Sequence, residues 1–213
     1  MSDLLPAGGR ALRILDFDIE NRPLSYWMAD RPTAQITAIA SAWVGDHESM
    51  RVDLYDGTES SYLDMLNAFV DRYKQADMVT GHYIRRHDLP IINGALYELK
   101  DFGLLDEKLT CDTKLDMFKK ADIPATQEFL LEVLDPRCPK GIPIFKQHMS
   151  QRDWREANTL SADGLQKTAV RVSSDVHAHE HMRDAMLTRG WLKRPSMWRP
   201  GGGFSEVSEG RHR

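Results

Sequence analysis

Apolar residues dominate Ala11 to Ile19 (ALRILDFDI), as in a central strand, and Asn21, Arg22 and Pro23 announce a loop after it. Gln35 to Val44 and Met50 to Tyr55 predict two further strands, followed by the turn residues Gly45 and Asp46, then Asp56 and Gly57. An antiparallel meander is the economical pairing of these three strands. From Ser60 the period lengthens: Tyr62, Leu66, Phe69 and Tyr73, flanked by Leu63 and Val70, predict an amphipathic helix over one sheet face, with Ser60 or Ser61 as its N-cap. Met78 to Tyr83 predicts a short buried strand. Asp88, Leu89 and Pro90 open a helix that continues through Ile91 to Leu99 and ends by Gly103. Leu109 to Asp112 is strand-like, and Thr126 to Leu134 predicts a helix. Asp135 to Ser150 carries three prolines and little periodicity, which predicts a long surface connection. Asp163 to Gly190 is the longest uninterrupted helical pattern, closed by Gly190 and then Pro195. Strands first, with helices interleaved and following, place the chain in the α/β class.

The length of 213 residues suits one domain with a sizeable core. Apolar residues at 41% and charged residues at 28% exclude wholesale disorder and collagen-like or repeat architectures. The formal charge of −4 excludes a uniformly basic DNA-gripping surface and leaves room for a local basic patch. Cys111 and Cys138 have no metal-ligand spacing, which argues against a disulfide framework and fits a reducing cytoplasm. MSDLLPAGGR lacks a charged start followed by an apolar core, and no apolar run approaches the roughly 20 residues that cross a bilayer, so neither secretion nor membrane insertion is expected. Residues 1–10 are expected to be a flexible N-terminus, 11–199 one domain, and 200–213, rich in glycine and polar residues, a flexible tail.

The leading chemical feature is Asp18-Ile19-Glu20. Side chains two apart on a strand share a face, so both carboxylates can converge on one hard cation such as Mg²⁺ or Mn²⁺. The same spacing at Asp46 and Glu48 sits beside turn residues and reads as surface charge. Asp88 is either a second acid of the site or a helix N-cap. Asp175 borders the apolar stripe of the last helix, near Val172 and Val176, and is either a third site acid or an ordinary helix-surface charge. His177 and His181 share a helix face at four-residue spacing, but no Cys or third ligand accompanies them, so a polar helix face is the plainer reading than zinc. Asp112, at another strand end, either supports the acids or caps a turn.

Taken together, ILDFDIENRP, GHYIRRHDLPIINGAL and RVSSDVHAHEHMR continuing to GWLKRPSMW resemble the DnaQ-like, or DEDD, 3′-5′ exonucleases, and more particularly their phage-encoded branch. The resemblance spans most of residues 11–198. It implies a ribonuclease H-like fold with a mixed central sheet, an antiparallel meander at its start and helices on its faces. It also implies that Asp18, Glu20, Asp88 and Asp175 are catalytic acids holding two divalent cations, Mg²⁺ or Mn²⁺, for phosphodiester hydrolysis.

The sequence departs from the family at motif positions. Tyr83 stands where the family carries Asn, and His87 where it carries Phe. Four and five residues before Asp175, where the family places a Tyr or a His to orient or deprotonate water, stand Arg171 and Val170. A second register pairs Asp184 with His179, five residues earlier. Nine helical residues make about two and a half turns, so Asp175 and Asp184 lie on opposite faces and only one register can hold. Asp175 is the expected acid, since SSDVHAH continuing to GWLKRPSMW resembles the phage-encoded branch and Asp175 borders the apolar stripe. Arg171 stays charged and cannot deprotonate water, which leaves the general base unassigned.

Arg22, Tyr83, Arg85 and Arg171 are expected to contact substrate; Arg86, Lys140 and Lys146 either add positive charge there or are simply solvated, and Tyr26 and Trp27 either stack on bases or pack in the core or a loop. The expected function is 3′-5′ exonuclease action on single-stranded or frayed DNA, beside a separate polymerase or replication protein and without a membrane. For a phage-encoded chain the location is the bacterial cytoplasm. The alternatives are a nucleic-acid-binding protein of the same fold with a degraded acid site, and a ribonuclease H-like endonuclease acting on RNA or structured DNA.

Overall fold

The computed structural model describes residues 10–23, 34–99, 103–118, 124–136, 144 and 146–200. The elements run β1 (Ile14–Pro23), β2 (Ala34–Trp43), β3 (Asp46–Leu54), α1 (Glu59–Gln75), β4 (Met78–Gly81), α2 (Asp88–Glu98), β5 (Lys108–Asp112), α3 (Gln127–Leu134), α4 (Gln151–Asn158), α5 (Ala162–Thr188) and β6 (Ser196–Trp198). One six-stranded sheet has the order β3-β2-β1-β4-β5-β6. The meander β1-β2-β3 is antiparallel, β1, β4 and β5 are mutually parallel, and β6 returns antiparallel on β5.

The two sheet faces carry different chemistry because β1 alternates strictly. Leu15, Phe17 and Ile19 point into a core with Met65, Leu66, Phe69 and Tyr73 of α1 and Leu89, Ile92 and Leu96 of α2. The opposite face, bearing Asp16, Asp18 and Glu20, lies under α5. On β2 the stripe Ala38, Ala40 and Ala42 packs against Val172 and Val176, and such short side chains let the long helix approach the sheet closely. The register shift between Glu20 and Asn21 leaves Thr37 of β2 without a partner, a bulge that turns Ile36 to the α1/α2 core while Ala38 faces α5.

Several boundaries differ from the sequence reading. β1 runs on through Pro23, so Asp18 and Glu20 sit within the strand rather than at its end. What ends there is the parallel neighbour: the last β1–β4 pair is Asp16 with Thr80. Asp46 and Glu48 belong to β3, not to a turn. The cap of α1 is Thr58, whose hydroxyl accepts from Ser61 N, rather than Ser60 or Ser61. The connection expected over 135–150 leads into α4, held by a capping box between Ser150 and Asp153 and by Lys167 of α5 bonded to Asp153 and Glu156. α4 buries only Ala157, so it has no apolar stripe for a periodicity search to find. The last helix, read from Asp163, spans Ala162–Thr188, with Gly190 at φ 65° just beyond it. Cys111 is buried and free, and Cys138 lies outside the described residues. So do the expected flexible ends, apart from Arg10, which pairs with Asp77, and Pro200.

Gly81 closes β4 where backbone meets backbone. A Cβ there would lie 2.8 Å from Phe17 O and inside the Ile84 side chain. Gly81→Ala should cost about 1–3 kcal/mol in thermal or denaturant unfolding. Gly94→Ala, in open space on α2, should be neutral or stabilising by up to about 1 kcal/mol. An unfolding midpoint unchanged in Gly81→Ala would contradict this packing.

Candidate metal centre

Asp18 and Glu20 leave the polar face of β1 beyond the last residue that β4 covers, and α5 crosses above them. Asp175 enters from that helix, 3% exposed, on the same face as Val172 and Val176. One carboxylate oxygen from each of Asp18, Glu20 and Asp175 lies within 4.8 Å of the other two, and among the described residues this is the one such group of potential ligands. Asp88 stands beside this triangle rather than within it. Its Oδ1 accepts from Ile19 N at 3.2 Å, which ties the start of α2 to the strand between the two motif acids. The N-cap position belongs to His87, and Asp88 lies in the first helical turn.

Clustered acids out of water resist ionisation. Burial, followed by the charges of Asp88, Asp175 and Glu20, holds the Asp18 carboxyl well above its usual range. Burial pushes Glu20 up to about 7 although Arg171 pulls the other way. Asp175 is also raised by burial, with Lys146 and Arg171 opposing. Those two cations sit directly on the acids. Arg171 Nε is 3.0 Å from Asp175 Oδ2 and 3.4 Å from Glu20 Oε1, and Lys146 Nζ is 3.2 Å from Asp175 Oδ2. Arg171 Nη1 donates to Gln147 O, beside Lys146 in the chain. Asp175 Oδ1 is buried with no hydrogen-bond partner, whereas the Asp175 carbonyl accepts from Gln127 Nε2. A buried carboxylate oxygen left open in this way, in a cluster of hard donors, fits a divalent cation.

Asp184, the acid of the second register, is 60% exposed and bonds Arg183. His179 serves the fold instead of a water molecule. Its Nδ1 lies 2.8 Å from both oxygens of buried Asp16, and its Nε2 lies 3.1 Å from Thr113 Oγ1. The chain of contacts continues from Thr113 to His82 Nδ1 and from His82 Nε2 to Ala125 O, and burial pushes His82 down to about 3. Asp16 stands outside the Asp18-Ile19-Glu20 motif, although the alternation of ILDFDIE places it on the face of Asp18 and Glu20. His177 and His181 gain a third ring, His47, with centroids 4.7–6.0 Å apart, but the three do not converge as one ligand set.

The expected substrate contacts separate into two groups. Arg171 lies at the acids. Tyr83 is at φ 73°, its N–H donates to Asp112 Oδ1, and Lys114 Nζ lies 3.9 Å above its ring. The positive φ suits Asn better than Tyr. Arg85 turns inward to Asp116, Ser196 and, at 3.8 Å, Asp112. Arg22 bonds Gln35 Oε1 and Asn158 O. Asp112 accepts four backbone N–H groups, from Tyr83, Arg85, Lys114 and Leu115, so it organises the turns around it. Tyr26, Trp27 and Lys140 lie outside the described residues.

No family model and no curated protein matches the chain. Among solved structures it is similar to the family B DNA polymerase from the hyperthermophilic archaeon Pyrobaculum calidifontis, with a TM-score of 0.61 and 17% identity. The alignment covers 84% of this chain and 25% of the polymerase chain, so the protein spans about a quarter of that enzyme's length. The fold is ribonuclease H-like. No helix among the described residues is long and apolar enough to cross a membrane.

The raised carboxyl of Glu20 makes stability depend on pH in a definite direction. A folded-state value of about 7 against an ordinary 4.5 means the native state binds more protons between them, so this group's contribution falls as pH rises through that window. Without added metal, the thermal midpoint should decline from pH 4.5 to 7 more steeply in the wild type than in Glu20→Gln. Equal slopes would contradict the electrostatics described here.

Proposed function

We propose that the chain is a divalent-cation-dependent 3′-5′ exonuclease that hydrolyses phosphodiester bonds at the end of single-stranded or frayed DNA. The observation that carries this reading is the convergence of Asp18 and Glu20 from β1 with buried Asp175 from α5, one of whose oxygens has no protein partner. Oxygen-only donors suit Mg²⁺ or Mn²⁺ over softer metals. Similarity to a DNA polymerase supports nucleic acid as the substrate class.

In this reading Asp18, Glu20 and Asp175 are the metal ligands, and Asp88 completes the acid set from the start of α2. A bound divalent cation supplies Lewis-acid polarisation of the scissile phosphate and acidifies the attacking water. The protein does the rest by position. β1 fixes two acids at a spacing of two residues, and the Ile19 N–H holds Asp88 against them. Arg171 and Lys146 put positive charge at the place where an anionic phosphate must approach four carboxylates. Tyr83, in the loop leading to Asp88, offers a ring to the terminal nucleotide. Arg22 and Arg85 contact substrate only by exchanging the protein partners that now hold them. A separate polymerase is the partner this reading implies, and the resemblance to the phage-encoded branch extends it to a bacterial cytoplasm.

A second reading draws on Arg171: a protein that holds nucleic-acid ends without cutting them, because a fixed guanidinium stands where the family carries a water-orienting side chain. Cleavage of 3′-labelled and 5′-labelled single-stranded DNA and RNA in Mg²⁺, Mn²⁺ or EDTA decides between the two. The exonuclease reading expects metal-dependent shortening from the 3′ end, reduced more than about 100-fold in Asp18→Asn and Asp175→Asn and kept in Asp184→Asn. Retained cleavage in Asp18→Asn would contradict it. Retained end-binding with no cleavage in any metal would establish the second reading, and cutting of a circular substrate would establish an endonuclease.

A further inference from the structure

Resting on the reading of this centre as a metal site, we propose that it holds one divalent cation per chain and that Arg171 and Lys146 take the place of the second ion. The charge count supports one ion. Asp18, Glu20, Asp88 and Asp175 bring four negative charges when ionised, and two divalent cations would balance them if nothing else did. Arg171 and Lys146 already lie 3.0–3.4 Å from Glu20 and Asp175 oxygens, and their two positive charges leave room for one divalent ion. Glu128, 3.6 Å from Lys146, is 63% exposed and screened by solvent, so it changes this balance little.

The ligand geometry agrees. Oxygens around a single octahedral Mg²⁺ or Mn²⁺ are separated by roughly 3–4 Å, and the oxygens of Asp18, Glu20 and Asp175 all lie within 4.8 Å of one another, near enough to close on one ion. A second ion about 4 Å away would need ligands of its own. On the Asp88 side, Oδ1 is committed to Ile19 N, and Oδ2 faces His87 Nδ1 at 3.4 Å. On the side of Glu20 and Asp175, the space belongs to the Arg171 guanidinium. That group is 12% exposed, anchored by Gln147 O, and cannot lose its charge by deprotonation. Lys146 adjoins Gln147, so one short segment both carries a cation and fixes the other. Two side-chain cations beside a single ion supply positive charge to the leaving oxygen, the role a second ion would otherwise fill.

Counting bound Mn²⁺ on the full chain without nucleic acid, by equilibrium dialysis with low-temperature electron paramagnetic resonance, tests this. The wild type should bind one Mn²⁺ per chain and show the six-line spectrum of an isolated ion. The double variant Arg171→Ala, Lys146→Ala should take a second ion and show an exchange-coupled spectrum, while Arg171→Lys stays at one. If the double variant does not fold, Arg171→Gln and Arg171→Lys make the same comparison, with a second ion expected only in the first. Two coupled ions in the wild type would overturn the proposal, as would none, or a count of one in every variant from which a cation has been removed. One ion bound without any cleavage would instead remove the nuclease reading and leave the count intact.

Discussion

Every second residue of β1 from Asp16 to Glu20 is an acid, and α5 covers that face, so each charge must be answered inside the fold. Uncompensated carboxylates at such depth would cost several kcal/mol apiece. The helix answers them in sequence along its length. His179 lies against Asp16 and links it, through Thr113, to His82. Eight residues, just over two turns, toward the N-terminus, Arg171 answers Glu20 and Asp175, with Lys146 beside it. The first answer is complete within the protein. The second leaves Asp175 Oδ1 open and three carboxyls raised, and that difference separates a structural polar chain from a site with capacity for a cation.

The rest of the architecture serves this placement. The alanine stripe of β2 lets α5 lie close enough for Asp175 to reach β1. The bulge at Thr37 keeps the faces of β2 correctly assigned on either side of Glu20, and Thr37 Oγ1 donates to the Glu20 carbonyl. β4 stops at Gly81, which exposes Asp18 and Glu20 beyond the parallel pairing, and the chain then turns back to present Asp88 to Ile19 N. A ribonuclease H-like sheet thus gathers acids from three separate segments at one place, and nuclease chemistry on nucleic-acid ends is the function proposed for it.

Much of this was legible in the residues. The meander, α1, α2 and α5 follow from hydrophobic period, because each buries a continuous stripe. Asp18 and Glu20 follow from the alternation of β1, and Asp175 from its place beside the apolar stripe of α5, together with the family resemblance. What escaped had no such stripe: α4 stands on a capping box and the ion pairs of Lys167, and β6 is three residues long after a proline. The partners of charged side chains also escaped. Arg85 is a basic residue beside a motif in the sequence and a clamp on Asp116 in the fold. Lys146 stands in a proline-rich connection with no sign that it reaches Asp175. Pairings of this kind depend on tertiary approach, which periodicity does not encode. The position of His179 on the Asp16 side of α5 separates the two possible registers in space, and only the helix's rotation on the sheet fixes it.

The proposed metal centre requires α5 to deliver Asp175 to the acids of β1. Thermal unfolding of the full chain with and without Mn²⁺ tests it most directly, since a ligand that binds only the native state raises the midpoint. Mn²⁺ should raise the midpoint of the wild type and of Asp184→Asn and leave that of Asp175→Asn unmoved. A metal-induced rise in Asp175→Asn equal to that of the wild type, or no rise in the wild type at all, would contradict the account.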